Sequence, residues 1–188
     1  WHREGILNKK QNTFDDFIAA AECLTKERYT SSKKLAIMGG SNGGLLVGAC
    51  MVQRPGLFKA VICSVPLLDM VRFHKFLIAA RWVFEYGNPD NPKDFSNIIK
   101  WSPYHNVQKE TEYPAVLFTT AFNDTRVEPF HARKMCALLQ SINKKNPVLL
   151  RTEMEAGHST LFKSKEQTAE GYADILAFIY WQLGVSLD

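Results

Sequence analysis

Ser41 lies in the segment Gly-Gly-Ser-Asn-Gly-Gly at residues 39–44, a G-x-S-x-G pattern with one further glycine. The apolar run before it, residues 35–38, is typical of a buried strand, and residues 45–52 after it can continue as a helix. A serine between a strand and a helix lies on a sharp, strained turn, where the Cβ atoms of flanking residues would collide with both elements. The pattern therefore predicts that Ser41 is a nucleophile. A phosphate-binding loop is disfavoured because no Gly-Lys-Ser/Thr follows.

A serine hydroxyl becomes a good nucleophile only when a base removes its proton. Two later apolar runs, residues 115–120 and 148–154, are followed by Asp124 and by Gly157-His158. Functional groups collect beyond the carboxyl ends of the strands in open α/β sheets. The order serine, aspartate, histidine is that of the α/β-hydrolase triad. We therefore predict His158 as the base and Asp124 as the acid that orients it.

Other interpretations of these residues remain open at this point. Asp124 could be a turn aspartate that bonds its own loop. Asp69, after the run at residues 59–65, is a rival acid in a less expected place. His131 lies at the start of a predicted helix that extends to Gln140, and a structural or supporting role is favoured for it.

The predicted elements alternate between strands and helices. Strands are expected at residues 35–38, 59–65, 115–120 and 148–154. Helices are expected after Thr13 as N-cap, after the Ser41 turn to about Arg54, and at the end of the chain up to Gly184. Residues 66–112, interrupted by prolines, are expected to form short helices and loops. This order predicts a doubly wound, mostly parallel sheet with flanking helices in one domain over residues 1–188, and the order Ser, Asp, His favours the α/β-hydrolase fold for it.

Composition excludes several classes of protein. The 188 residues are 46% hydrophobic and 22% charged, with a net charge of +4 and scattered Lys and Arg, so neither nucleic-acid binding nor a membrane span is expected. Four widely spaced cysteines in apolar stretches predict buried free thiols and a cytoplasmic location. No cluster has metal-ligand spacing, and neither a metal nor another cofactor is expected. The chain begins without Met, as a piece of a longer protein would.

The chain resembles the prolyl oligopeptidase family of serine peptidases, in the C-terminal part of its catalytic domain. The matching segments run through most of the sequence: Trp1-His2 with Gly5, residues 11–17, 39–46, 53–55, 69–70 and 73–75, Trp82, residues 85–87, 102–103 and 105–107, Tyr113-Pro114, Asp124 with Arg126-Val127, and residues 156–158. The resemblance implies the same nucleophile, acid and base as the strand-end argument.

The resemblance also implies how substrate is held. Trp82 would stack on a substrate proline ring, with Tyr86 and Val127 lining the same pocket, and Arg126 would bond a substrate carbonyl. The backbone N–H of Asn42 would be one oxyanion donor. The second donor in the family, a tyrosine hydroxyl, comes from upstream of Trp1, as do the first strands and a β-propeller. The upstream portion of the protein is therefore expected to be needed to complete the fold.

The function predicted from these observations is a serine endopeptidase that cleaves short peptides after proline through an acyl-enzyme. The alternatives are a related hydrolase of another specificity (oligopeptidase B-like, an acylaminoacyl-peptidase or an esterase), or an inactive fragment of such an enzyme. A pocket carboxylate would favour Lys or Arg substrates, and Glu85 and Glu128 are close enough in sequence to leave that open.

Overall fold

The computed structural model describes residues 1–154, 156–158 and 164–186. Within them, four parallel strands form one sheet in the order β1-β2-β3-β4. The strands are β1 (Ala36–Gly40), β2 (Ala60–Ser64), β3 (Ala115–Ala121) and β4 (Val148–Glu153). The helices are α1 (Gln11–Lys26), α2 (Asn42–Gln53), α3 (Val83–Tyr86), α4 (Pro92–Trp101), α5 (Phe130–Ile142) and α6 (Lys165–Leu183). The predicted parallel α/β architecture is confirmed.

Both faces of the sheet are covered, as the continuous apolar runs of β2 and β3 require. Alternate residues point to opposite sides. Val61 and Phe118 belong to a large core that includes residues of α1, α2 and α5. Ile62 and Leu117 face the other way and pack against Phe178 of α6. Along the chain, each of the four described strands lies next to the preceding one, and the sheet grows in one direction. Double winding requires the strand order to reverse, and no reversal occurs among these four strands.

Residues 66–112 form short helical segments and loops, as expected. Besides α3 and α4 they contain 3₁₀ turns at Phe73–Lys75, Ala79–Trp82 and Pro103–Asn106. Further 3₁₀ turns lie at His2–Glu4, Leu7–Lys9 and Pro55–Leu57. Within residues 66–112, Pro92 begins α4 and Pro103 begins the turn at Pro103–Asn106. A proline is tolerated there because the first turn of a helix loses no intrahelical hydrogen bond to it.

Two predicted details are wrong. Thr13 does not cap α1: the helix begins at Gln11, and the Thr13 hydroxyl instead donates to the Gly5 carbonyl at 3.2 Å. Cys23 is exposed, whereas Cys50, Cys63 and Cys136 are buried free thiols. Gly184 ends α6 in the left-handed conformation, φ 63°, as predicted. No helix in the described ranges is both long and apolar enough to cross a bilayer.

Candidate active site

Ser41 lies between β1 and α2 on a strained backbone. Its φ of 57° and ψ of −118° are costly for a residue with a Cβ atom. Two contacts hold it there: its N–H donates to the Ser64 carbonyl at 2.9 Å, and its carbonyl accepts from Leu45 at 3.1 Å. The turn thereby projects the serine beyond the carboxyl end of the sheet.

Two of the flanking glycines are required by close approach. A Cβ atom at Gly39 would lie 2.2 Å from the carbonyl oxygen of Gly43, and one at Gly44 would lie 2.7 Å from Cβ of Pro66. Real Cβ atoms do not come this near to other atoms. A Cβ at Gly43, in contrast, would meet no atom within 4 Å. The strand and the helix can therefore meet at this angle only with glycine at positions 39 and 44.

Ser41, His158 and Asp124 form one chain of hydrogen bonds. Nε2 of His158 is 3.0 Å from Oγ of Ser41, and Nδ1 is 2.8 Å from Oδ2 of Asp124. Because a carboxylate only accepts, Nδ1 carries the proton and Nε2 is free to accept from the serine hydroxyl. The structure thus brings together the three side chains that the sequence singled out from three strand ends.

The second oxygen of Asp124 is held by its own loop. Oδ1 accepts from the backbone N–H of Arg126 at 2.8 Å and of Val127 at 2.9 Å. The carboxylate is buried, and its two oxygens between them accept from one imidazole and two amides. Both interpretations of Asp124 therefore apply at once: Oδ1 bonds the amides of its own loop, and Oδ2 bonds the imidazole of His158.

Asp69 and His131, the other candidates, lie in a separate network. Asp69 accepts from Arg72 at 2.6 Å and is also ion-paired with Lys134. Burial would raise the pKa of Asp69, but the hydrogen bonds from Lys134 and Arg72 lower it below its usual value. His131 accepts backbone N–H groups rather than contacting Ser41. Asp69, the rival acid, is thus paired with basic side chains and not with His158.

A cavity of about 140 Å³ opens beside the nucleophile. Four of the predicted binding residues line it together with Ser41: Asn42, Trp82, Tyr86 and Arg126. Tyr86 is buried, and its hydroxyl donates to Oδ1 of Asn42 at 2.9 Å. Burial raises the pKa of Tyr86, so the phenol stays a neutral donor. Val127, also predicted for this pocket, is not among the described residues that line the cavity; it is buried and its N–H donates to Asp124.

Two lining residues were missed by the sequence analysis, Leu67 and Phe84; Glu85, which the sequence raised as a possible pocket carboxylate, also lines the cavity. Leu67 follows β2 at the same end of the sheet as the other site residues, a signal that could have identified it. Glu85 accepts from Nζ of Lys10 at 2.8 Å and pairs with Nε2 of His2 at 2.9 Å. Burial would raise the pKa of Glu85, but the hydrogen bonds from Lys10 and His2 lower it.

Among the residues that the structure describes, no group of three or more His, Cys, Asp or Glu side chains could hold a metal ion. The hydrogen-bonded side chains described above support a chemistry of their own. A hydroxyl, an imidazole and a buried carboxylate in this order can deliver an activated oxygen nucleophile to an acyl carbon.

Comparison with known proteins agrees with this geometry. The sequence model of the prolyl oligopeptidase family matches residues 1–186. The chain is 47% identical to prolyl oligopeptidase ophP of Omphalotus olearius, covering 100% of this chain and 26% of that protein. It is 46% identical to the prolyl endopeptidase of Dictyostelium discoideum, covering 100% of this chain and 25% of that protein. The chain thus spans about a quarter of the length of these curated relatives.

Solved structures give the same result. Prolyl oligopeptidase B from Galerina marginata, bound to a 35mer hydrolysis and macrocyclization substrate, superposes with a TM-score of 0.95 at 39% identity, over 100% of this chain and 26% of that chain. A structure from a study of two prolyl endopeptidases superposes with a TM-score of 0.94 at 49% identity, over 99% of this chain and 28% of that one. Family model, relatives and structures agree, and the chain belongs to the prolyl oligopeptidase family.

Proposed function

We propose that this chain carries the catalytic centre of a serine peptidase that cleaves short peptides on the carboxyl side of proline. The observation that supports this most directly is the continuous hydrogen-bond chain from Ser41 through His158 to Asp124. Its two distances, 3.0 and 2.8 Å, lie within the range needed for proton transfer between a nucleophile and its base.

The reaction then proceeds through an acyl-enzyme. Oγ of Ser41 attacks the carbonyl carbon of the scissile bond while Nε2 of His158 takes its proton. His158 returns that proton to the leaving amine, and water, activated by the same imidazole, releases the acyl group. Asp124 remains ionised and stabilises the imidazolium that forms in both halves.

Charge on the substrate oxygen is stabilised by the backbone N–H of Asn42. This residue begins α2, where the first N–H groups of a helix have no intrahelical acceptor. The N–H that follows the nucleophile is the usual first donor in this type of site. The hydrogen bond between Tyr86 and the Asn42 side chain keeps that residue in one orientation beside the cavity.

Proline specificity is supported by the cavity wall. The half-buried ring of Trp82 and the buried ring of Tyr86 offer flat apolar surfaces that suit a pyrrolidine ring. Arg126 is exposed at the rim, where its guanidinium can donate to a peptide carbonyl.

A preference for Lys or Arg substrates is disfavoured by the state of Glu85. Its carboxylate already pairs with the buried ammonium of Lys10 and with His2. A second cation would have to displace one of these partners, so a basic substrate side chain gains little there. Glu85 therefore acts as a structural carboxylate behind Tyr86.

We further propose that this α/β-hydrolase unit is completed by another part of a longer protein. As far as the described residues go, β1 and β4 form the outer edges of the sheet. Apolar side chains lie exposed on or near these edges: Met38 on β1, Leu149 and Leu150 on β4, and Trp181 on α6. Strand edges with apolar neighbours favour association. A monodisperse monomer of this chain in analytical ultracentrifugation would argue against this proposal.

The test of the catalytic centre is intact mass after reaction with a fluorophosphonate probe. We expect one adduct on the wild-type chain, none on Ser41→Ala, and wild-type labelling of Ser96→Ala, whose hydroxyl bonds the Lys93 carbonyl on α4. A folded wild-type chain that forms no adduct would contradict a working centre within these residues.

Reporter peptides test specificity. We expect faster cleavage after proline than after arginine, and Trp82→Ala should lower kcat/KM for the proline peptide by about 2- to 10-fold, from an aromatic contact of about 0.5–1.5 kcal/mol. Faster cleavage after arginine would favour the alternative specificity.

A further inference from the structure

The wall of the cavity beside Ser41 includes a segment without regular structure, residues 65–70, that follows β2. All six residues are buried. Pro66 lies against the position of Gly44, and Leu67 lines the cavity. The segment begins with Val65 at a φ of 39°, a strained conformation for a β-branched residue. Such a conformation persists only where surrounding contacts hold it, so the contacts of this segment decide the shape of the cavity.

His131, in the first turn of α5, supplies two of these contacts. Its Nδ1 accepts the backbone N–H of Asp69 at 3.0 Å and that of Leu68 at 3.3 Å. Because both partners are donors, Nδ1 must be unprotonated and the ring proton must lie on Nε2. The side chain is 2% exposed, and burial lowers the pKa of His131 to about 3. The imidazole is therefore a constant acceptor at any pH at which the protein is folded and active.

Neighbouring side chains grip the same segment. Lys134, one turn after His131 on α5, is ion-paired with the Asp69 carboxylate. The hydroxyl of Ser102 accepts the N–H of Met70 at 3.0 Å. Lys134 and Asp69 fix the far end of the segment by charge. His131 alone among these side chains holds the amide of Leu68, the residue directly after the cavity-lining leucine.

We infer that His131 is a positioning residue for the specificity cavity: its acceptor nitrogen fixes the Leu68 and Asp69 amides and thereby sets Leu67 in the wall beside Ser41. His131 itself is not among the described residues that line the cavity. The inference rests on the proposed function in one respect, that this cavity receives the side chain of the residue before the scissile bond.

The first measurement needs no substitution and no activity. In ¹⁵N-labelled wild-type chain, NMR couplings across the hydrogen bonds should connect Nδ1 of His131 to the amide nitrogens of Leu68 and Asp69. The imidazole should remain in the Nε2–H form between pH 5 and 8. A protonated ring, or the Nδ1–H form, would overturn the inference.

Substitutions then test what the contact does. His131→Leu removes the acceptor, and we expect hydrogen exchange at Leu68 and Asp69 to rise about tenfold or more, as for buried N–H groups left without a partner. His131→Asn offers an amide oxygen near the position of Nδ1 and should restore much of the protection. His74→Asn is the matched control, because His74 is largely buried but bonds Asp90 instead. Equal exchange in His131→Leu and wild type would overturn the inference.

Selectivity is the functional readout. His131→Leu should reduce the ratio of kcat/KM for a post-proline over a post-alanine reporter by about tenfold, mainly through KM, with recovery in His131→Asn. Fluorophosphonate labelling of Ser41 should be unchanged. A fall in labelling with an unchanged ratio would assign His131 a purely structural role. If the wild type cleaves no peptide, the proposed function fails, and the couplings and exchange still decide whether His131 positions the segment.

Discussion

Gly43 and Gly44 are adjacent in α2 and differ in what an added methyl group would meet, which makes them a sensitive test of the Ser41 turn. A Cβ atom at Gly44 would lie 2.7 and 2.9 Å from Cβ and Cα of Pro66, and 2.9 Å from the Ser64 carbonyl oxygen. Two of these atoms are backbone, which cannot rotate away. At Gly43 the same atom would lie in open space. The two Gly→Ala variants should therefore change stability in opposite directions.

The magnitude follows from two opposing terms. Alanine in place of a helical glycine stabilises by roughly 0.5–1 kcal/mol, a gain available to both variants. Forcing a methyl group into a packed site costs about 1–3 kcal/mol, which applies only to Gly44→Ala. The expected net changes in the free energy of unfolding are a loss of up to about 2.5 kcal/mol for Gly44→Ala and a gain of about 0.5–1 kcal/mol for Gly43→Ala. For a chain of this length, 1 kcal/mol corresponds to about 2–4 °C in Tm.

The assay is thermal unfolding followed by circular dichroism, with urea unfolding as a check on the free energies. Gly44→Ala should lower Tm by up to about 10 °C and Gly43→Ala should raise it by about 1–4 °C. Gly44→Ala should also slow fluorophosphonate labelling, since the start of α2, which directly follows Ser41, must move away from Pro66. Equal shifts of Tm in the two variants would refute the close approach of α2 to the segment after β2.

Three further predictions concern charged groups. Asp124→Asn keeps an oxygen for the loop amides but presents an N–H to His158, which stabilises the tautomer with its proton on Nε2. Fluorophosphonate labelling of Ser41 should slow by about 10⁴ with little change in Tm, and a small effect on labelling would contradict Asp124 as the acid. Lys10→Met removes the buried ammonium from Glu85, which then keeps only His2 as a partner, and should cost roughly 1–3 kcal/mol in urea unfolding. Lys9→Met, in an exposed pair, should cost much less, and equal costs would contradict the burial of Lys10. Burial opposes ionisation of Asp69, yet hydrogen bonds from two basic side chains hold its pKa below the usual 3.8. The ionised carboxylate therefore stabilises the fold above its unfolded-state pKa, and this stabilisation is lost as the pH falls through its folded-state pKa. Asp69→Asn should accordingly lose stability less steeply than the wild type below about pH 4 in acid titration.

The strands and the catalytic geometry could be predicted because each depends on local sequence. β1 to β4 are short apolar runs that end in polar or glycine-rich turns, and parallel strands bring such turns to one edge of the sheet. Ser41, Asp124 and His158 each follow one strand. Their meeting is therefore a consequence of topology, which alternation of strands and helices already indicates.

The cavity wall could not be predicted in the same way. Phe84 lies far from any strand end, in the segment between β2 and β3 where no hydrophobic period marks the buried side. The state of Glu85 depends on Lys10, 75 residues earlier, a pairing that no local pattern records. A charged residue that lies near the pocket residues in sequence can therefore be neutralised by a side chain from a distant part of the chain.

The exposure of Cys23 has a comparable cause. An apolar neighbourhood suggested burial, but α1 buries only the stripe of Phe14, Ile18 and Ala21, and Cys23 lies off that stripe. Leu24, an apolar residue of the same helix, also lies off that stripe and is exposed. On a helix, the angular position of a residue decides its environment more than the composition of its neighbours.

The backbone of the loop after β3 serves both the catalytic acid and the substrate cavity. The amides that fix Asp124 belong to Arg126 and Val127, and Arg126 also lines the cavity beside Ser41. A substitution that changed the path of this loop to admit another substrate would also turn the carboxylate away from the imidazole. Divergence of specificity in this chain is therefore expected to arise first on the opposite wall, around Trp82 and Leu67, where side chains can change without altering the support of the acid.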